Sequence, residues 1–322
     1  MKRALICGIS GQDGAYLAQH LLAAGYAVFG TSRDAQTTGF HNLQTLGIRG
    51  RVTVLSMSPM DFRSVLQTLA RTQPDEVYNL TGQSSVGLSF EQPVETFESI
   101  SVGTLNLLEA IRFAAPKIRF YNAGSGEVFG DTGGVPADEN TRLLPKSPYA
   151  VAKATAQWTV ASYREAYKLH ACTGTSFNHE SPLRPVRFVT RKIVSAACAI
   201  KRGGKDRLKL GNIEIVRDWG WAPEYVDAMH RMLQQPSASD FVIATGASHS
   251  LKEFIALVFK EVGLDWREHV EIDSALLRPS DHLIARANPA SAAEKLGWRA
   301  QIQMPDVARM MVQAELERPS RE

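Results

Sequence analysis

The first half of the chain alternates short apolar runs with longer stretches whose apolar residues recur three and four positions apart. Residues 4–7, 27–30, 52–55, 76–80, 119–123 and 170–176 read as strands, and residues 15–24, 62–72, 97–114 and 150–167 as helices. Strands apolar throughout are buried on both faces, and strand–helix alternation calls for a parallel sheet covered by helices. Gly25 ends the first helix as a C-cap, and Pro74-Asp75 and Ala115-Pro116 break the chain ahead of new strands. Beyond residue 176 the pattern loosens. Helices are expected over 188–201, 224–234, 251–262 and 304–315, and a returning strand over 241–244. Residues 205–215 read as strand and turn, with Gly211-Asn212 as a hairpin turn. The fold expected is α/β: a Rossmann-type doubly wound parallel sheet with a smaller C-terminal α+β substrate domain. Residues 1–176 plus 214–243 are assigned to the dinucleotide-binding domain, and 177–213 plus 244–322 to the substrate domain.

Composition changes this picture little. A chain of 322 residues exceeds the usual size of one core, so two domains are expected. A formal net charge of +3 is too weak to argue for nucleic acid as a partner. Cys7, Cys172 and Cys198 are odd in number, far apart and set among apolar residues. They read as reduced core residues of a cytoplasmic protein, neither disulfides nor metal ligands. The apolar start is too short for a signal peptide, and no run approaches the roughly 18 apolar residues of a membrane span, so no membrane role is expected.

Candidate chemistry gathers where strands end. Gly8, Gly11 and Gly14 follow the first strand. Such a turn brings backbone close to a pyrophosphate lying over a helix N-terminus, so these glycines, with Gln12 and Asp13, are candidate cofactor contacts. The second strand runs into Ser32-Arg33-Asp34. Arg33 suits the 2′-phosphate of NADP and Asp34 the free ribose hydroxyl of NAD; NADP is expected, with NAD as the alternative. Leu80, Gln83 and Ser84 follow the fourth strand, where a cofactor or substrate passes. Ser125 and Glu127 follow the fifth, the first as a donor to a substrate hydroxyl and the second as a candidate base. Tyr149 and Lys153 stand four apart, on one face of a helix. A tyrosine acting as base needs a nearby cation, which Lys153 would supply. The second half carries Arg184, Arg187, Arg191, Lys192, Arg217 and Arg278, cations suited to a diphosphate. His179 has no partner at ligand spacing, so no metal site is expected.

A glycine turn followed by a Tyr/Lys pair resembles the extended short-chain dehydrogenase/reductase family. Longer stretches resemble one branch of it, the GDP-mannose 4,6-dehydratase family: Gly11-Gln12-Asp13-Gly14-Ala15-Tyr16-Leu17, Ser147-Pro148-Tyr149-Ala150-Val151-Ala152-Lys153, Asn178-His179-Glu180-Ser181-Pro182, Phe188-Val189-Thr190-Arg191-Lys192 and Arg217-Asp218-Trp219-Gly220. The resemblance implies conversion of a GDP-mannose substrate to GDP-4-keto-6-deoxymannose with tightly held, recycled NADP. It implies that Tyr149 takes the C4 hydroxyl proton, Ser125 polarises the C4 ketone with it, and Glu127 removes the C5 proton and helps expel the C6 hydroxyl. It implies GDP-sugar contacts by Asn178, Lys192, Arg217 and Arg278; Ser84 is expected to reach the substrate from its strand end, and a homodimer or homotetramer is expected. The chain departs from the family's usual Ser-Thr-Ser-Glu with Gly124-Ser125-Gly126-Glu127, where Gly126 is expected to loosen the backbone beside the base. Ser58, Asp34 and Asp281 also replace the usual residues. Three alternatives stay open: a GDP-manno-heptose dehydratase, a reductase or epimerase on the same scaffold, and a non-catalytic nucleotide-binding protein. The last would be expected to lack Tyr149 or Lys153.

Overall fold

The computed structural model describes residues 1–277, 280 and 282–318. The strands in chain order are β1 Arg3–Cys7, β2 Ala27–Ser32, β3 Thr53–Ser56, β4 Glu76–Asn79, β5 Arg119–Ser125, β6 Ala171–Ser176, β7 Asn178–Glu180, β8 Leu208–Leu210, β9 Val216–Trp221, β10 Phe241–Ile243, β11 Ser248–Ser250 and β12 Val270–Ile272. Seven form one sheet, in the order β10-β6-β5-β4-β1-β2-β3, with every neighbouring pair parallel. Its period of two sorts side chains to two faces. Leu5, Cys7, Val77 and Phe120 pack with Leu69, Leu107 and Leu108 on one face. Ile6, Tyr78 and Tyr121 pack with Leu17, Leu21 and Met229 on the other. Each such buried aliphatic side chain contributes about 1.5–3 kcal/mol relative to exposure. This is the doubly wound α/β fold read from the sequence.

A second core lies between the helices Val189–Lys201, Leu251–Glu261 and Met304–Leu316, around Ile193, Trp219, Phe254, Val258 and Val312. Two small sheets accompany it, β11-β9-β7 and β12-β8. The segment 214–243 divides between the layers: β9 joins the small sheet, β10 the large one, and the helix Ala222–Gln234 packs its Met229 and Leu233 under the large sheet.

Three local expectations are corrected. No hairpin forms at Gly211-Asn212, because β8 pairs in parallel with the distant β12, burying Leu208 and Leu210 in the second core. The first helix, α1, spans Gln12–Ala23 and takes in the third glycine: a Cβ on Gly14 would lie 2.5 Å from the Gly8 carbonyl oxygen, so only glycine lets the helix start here. The helix expected over 97–114 instead begins at Pro93, passes through a π-helical turn at Glu98–Val102 and continues as Gly103–Ala114. Proline is tolerated in the first turn, where its missing N–H would have no partner.

Candidate active site

The order of strands reverses between β1 and β4, and ligands of such sheets bind in the crevice beyond the carboxyl ends there. A cleft of about 720 Å³ opens at this edge. The glycine turn fits a dinucleotide. Gly8 has φ +88°, and a Cβ on it would stand 2.7 Å from the Leu80 carbonyl oxygen. Gly11 is the N-cap of α1 without a side-chain capping bond, so no side chain takes up the helix's first amides. Uncapped amides at a helix N-terminus favour a phosphate.

The other expected cofactor contacts are arranged less uniformly. Asp13 and Leu80 line the cleft. Gln12 is buried and works as a tether: its carbonyl accepts from Ser181 Oγ at 2.7 Å and its amide donates to the His179 carbonyl at 3.2 Å. Asp13 joins it by pairing with His179 Nε2 at 2.9 Å. Burial alone would raise the Asp13 pKa, yet the charge and hydrogen bond of His179, with Gln12 and Arg184, hold it down to about 2. Burial works to lower that of His179, but Asp13 overrides it and the pKa is raised. The result is a charged pair fastening the phosphate turn to β7. Gln83 is occupied in its own loop, donating to the Ser85 carbonyl at 2.8 Å and to Thr96 Oγ1 at 3.2 Å. Arg33 is exposed past the end of β2, while the Asp34 carboxylate accepts from the amides of Gln36 and Thr37 at 2.9 and 3.2 Å. Asp34 is thereby turned into its own loop.

The candidate catalytic groups converge. Ser147 caps the helix Pro148–Tyr167, accepting from the Ala150 amide at 3.1 Å, and this fixes Tyr149 in the first turn. Ser125 ends β5, and its hydroxyl accepts from the Glu127 amide at 3.4 Å, starting the 3₁₀ turn Gly126–Phe129 that carries Glu127. Ser125, Glu127, Tyr149 and Lys153 all line the cleft. Burial pushes the Tyr149 phenol up to about 12; the hydrogen bond with Ser125 opposes this, the Glu127 charge reinforces it, and Arg184 opposes it. Lys153 follows one turn later on the same helix. Its ammonium donates to the Ala123 carbonyl at 2.9 Å and lies 5.8 Å from the Tyr149 ring centroid. Burial brings the Lys153 pKa down to about 8, against the pull of Asp13.

Ser84, Asn178, Lys192 and Arg217 line the same cleft; Arg278 lies outside the described residues. Lys192 is anchored on the Lys209 carbonyl at 2.7 Å. Arg217 is buried in β9 with its Nε 4.0 Å from Glu127 Oε1. Arg184 and Arg187 stand 3.9 and 5.2 Å from the Phe188 ring at the rim. Arg191 is turned away and joins Glu315 and Ser195, fastening two helices of the second core. Gly124 and Gly126 are both closely approached by neighbouring side chains. A Cβ on Gly126 would meet the Phe177 ring at 3.0 Å, and one on Gly124 would meet Thr173 Cγ2 at 2.7 Å. Both glycines make room for neighbours on β6 and just after it. The sequence reading missed His282, which lines the cleft with Nδ1 3.9 Å from Glu127 Oε2. Its only sequence signal was nearness to Arg278-Pro279.

A doubly wound sheet with a glycine cradle at its switch point, and a Ser/Tyr/Lys group beside it, defines an extended short-chain dehydrogenase/reductase. The sequence pattern of the GDP-mannose 4,6 dehydratase family matches residues 5–311, and the chain belongs to this family. It is 43% identical over 331 residues to GDP-mannose 4,6 dehydratase 1 of Arabidopsis thaliana, across 100% of this chain and 91% of that protein. It is 40% identical over 339 residues to the GDP-mannose 4,6-dehydratase of Sinorhizobium fredii (strain HH103), across 98% and 97%. Among solved structures, the UDP-glucose 4-epimerase of Thermus thermophilus in complex with NAD is similar, with TM-score 0.85 at 25% identity, over 97% of this chain and 98% of that one.

Proposed function

We propose that this protein is a hydro-lyase that converts GDP-mannose to GDP-4-keto-6-deoxymannose, using NADP held on the glycine turn. The observation that carries the reading is a carboxylate, Glu127, in one cleft with Tyr149 and Ser125. A reductase or epimerase needs the tyrosine but no base for elimination. The nicotinamide, held by the glycine turn, would supply the acceptor for the C4 hydride and its source for C6. Tyr149, beside Ser125 in the cleft, takes the C4 hydroxyl proton, and both then hold the ketone oxygen. The ketone acidifies C5–H; Glu127 removes that proton and delivers it to the departing C6 hydroxyl. Hydride delivery to C6 is matched by a proton returned to C5 as Tyr149 gives up the one it took, and one water leaves, so that Glu127 and Tyr149 both end as they began. Lys153, held on the Ala123 carbonyl, supplies the cation beside the tyrosine and cofactor ribose. Arg217 and Lys192, with Asn178 and Ser84, take the GDP-sugar. Incubation with GDP-mannose followed by mass spectrometry should show loss of one water; an unchanged mass would overturn the reading.

Arg33 is the group we assign to the 2′-phosphate, supported by the engagement of Asp34 with its own loop. Arg33→Ala should weaken NADP by about tenfold to a hundredfold, the scale of one charge-assisted hydrogen bond, and leave NAD nearly unaffected. Equal losses for both would favour NAD. The chain is further proposed to be a cytoplasmic homodimer or homotetramer. Val94, Val102, Leu105, Val151 and Trp158 leave an exposed apolar face on two adjoining helical segments. Light scattering should give at least twice the chain mass.

A further inference from the structure

Glu127 stands between two cations of different kind. Arg217 Nε lies 4.0 Å from Oε1, and His282 Nδ1 lies 3.9 Å from Oε2. Arginine keeps its charge throughout the accessible pH range, whereas an imidazole gains and loses its charge near neutrality. His282 is 8% exposed, and the chain beside it is laced to β9. The Val216 amide donates to the Leu283 carbonyl at 2.7 Å, the Ala285 amide to the Val216 carbonyl at 3.0 Å, and Arg217 to the Leu283 carbonyl at 3.4 Å. One strand therefore fixes both cations against the same carboxylate.

We propose that His282 is a positioning residue for the elimination, setting the aim and basicity of Glu127 through its own protonation. This rests on the dehydratase reading. With His282 charged, both carboxylate oxygens are held and Glu127 is a weaker base. With His282 neutral, Arg217 holds Oε1 and Oε2 is released toward C5. Protons balance without His282: the C5 proton goes to Glu127 and then to the departing hydroxyl, the proton Tyr149 takes from the C4 hydroxyl is matched by the one returned to C5, and His282 exchanges only with solvent. Among the described residues, the charged groups placed against it are Glu127 directly and Arg217 across that carboxylate.

Two measurements test this. The first uses ¹³C-histidine-labelled protein with no substrate, so it stands even if GDP-mannose is not the substrate. The resonance absent from His282→Gln is followed through pH in wild type and in Glu127→Gln. Removing the carboxylate charge should lower its titration midpoint by at least about half a pH unit; an unmoved midpoint overturns the pairing. The second is the pH dependence of kcat for dehydration. Wild type should show an acid limb in the range where an imidazole exchanges its proton. His282→Gln and His282→Asn should lose that limb, with kcat changed by up to about tenfold and KM by less than about twofold, as for an interaction acting on the chemical step. A limb that persists in both variants overturns the proposal. So does an equal loss in C4 oxidation, read from nicotinamide absorbance, because that would mark a merely structural role. Failure of the wild type to dehydrate GDP-mannose would count against the function reading, while the titration would still decide the pairing.

Discussion

The two ends of the main sheet each carry a glutamate, and they treat it differently. At the amino ends, Glu76 on β4 is 1% exposed and fully satisfied. Its Oε1 accepts from Lys2 at 3.0 Å, Tyr26 at 3.0 Å and Gln234 at 3.1 Å, and its Oε2 from Tyr78 at 2.8 Å. Burial would raise its pKa, but these donors outweigh burial and lower it. At the carboxyl ends, Glu127 has cations at 3.9 and 4.0 Å, and among the described residues no donor reaches its carboxylate within hydrogen-bond distance. A carboxylate with both oxygens hydrogen-bonded is part of the framework. One held by charge at a distance keeps its lone pairs for a proton.

The sharpest way to break this comparison is Glu127→Gln. The amide cannot accept the C5 proton, so dehydration should fall by about 10²–10⁴-fold. Thermal stability should stay within about 2 °C, because no hydrogen bond of the carboxylate is lost. Turnover within a factor of two of wild type would remove Glu127 from the chemistry. The converse variant is Glu76→Ala. It leaves the buried Tyr78 hydroxyl without its acceptor, while Tyr26 keeps His230 and the half-exposed Lys2 keeps Gln234, at a cost of about 1–3 kcal/mol, the scale for an unsatisfied buried polar group. The loss should appear in the urea midpoint, with kcat per folded molecule little changed. A stable but inactive Glu76→Ala protein would mean that satisfaction does not separate framework from chemistry here.

The same contrast explains what the sequence disclosed. Tyr149, Lys153, Glu127 and the glycine turn were legible because each sits at a strand end or on one helix face, where local spacing fixes direction. The Glu76 network was not, since it joins Lys2, Tyr26 and Gln234 from three separate elements. His282 meets Glu127 only because β9 carries its segment across the cleft. Gln12 and Arg191 read as ligand groups by type and motif, and became tethers because their partners, Ser181 and Glu315, come from distant elements. The parallel partner of β8 lay too far along the chain to compete with a local turn signal at Gly211-Asn212. The short β7 and β11 carried too few residues to show any period.

The smallest effect separates the two ends of α1 by pH. Near its start, Asp13 and His179 form the charged pair; near its end, His20 Nε2 meets His230 Nδ1 at 3.0 Å, and His230 Nε2 meets Tyr26 at 3.1 Å. Burial lowers the pKa of both His20 and His230. Below their ordinary value of about 6.5 the unfolded chain binds protons that the folded one does not, so this end is fully stabilising above that pH and weakens as pH falls. His179 has a raised pKa, so its contribution is full below about 6.5 and is lost as pH rises through the folded value. Asp13, held at about 2, contributes above the ordinary carboxylate range and loses that contribution only as pH falls from there toward 2. His230→Gln should therefore cost about 0.5–1.5 kcal/mol at pH 7.5, the net value of a buried hydrogen bond, and less at pH 5.5, where the wild type has already weakened. Asp13→Asn should show its largest deficit below pH 6.5, where His179 stays charged in the wild type, and a smaller one as pH rises. Urea unfolding across pH 5.5–8 reads both variants. Parallel curves for the two would show that charge pairing at the ligand edge and the neutral histidine link at the far end respond to protons alike, and the comparison would lose its electrostatic basis.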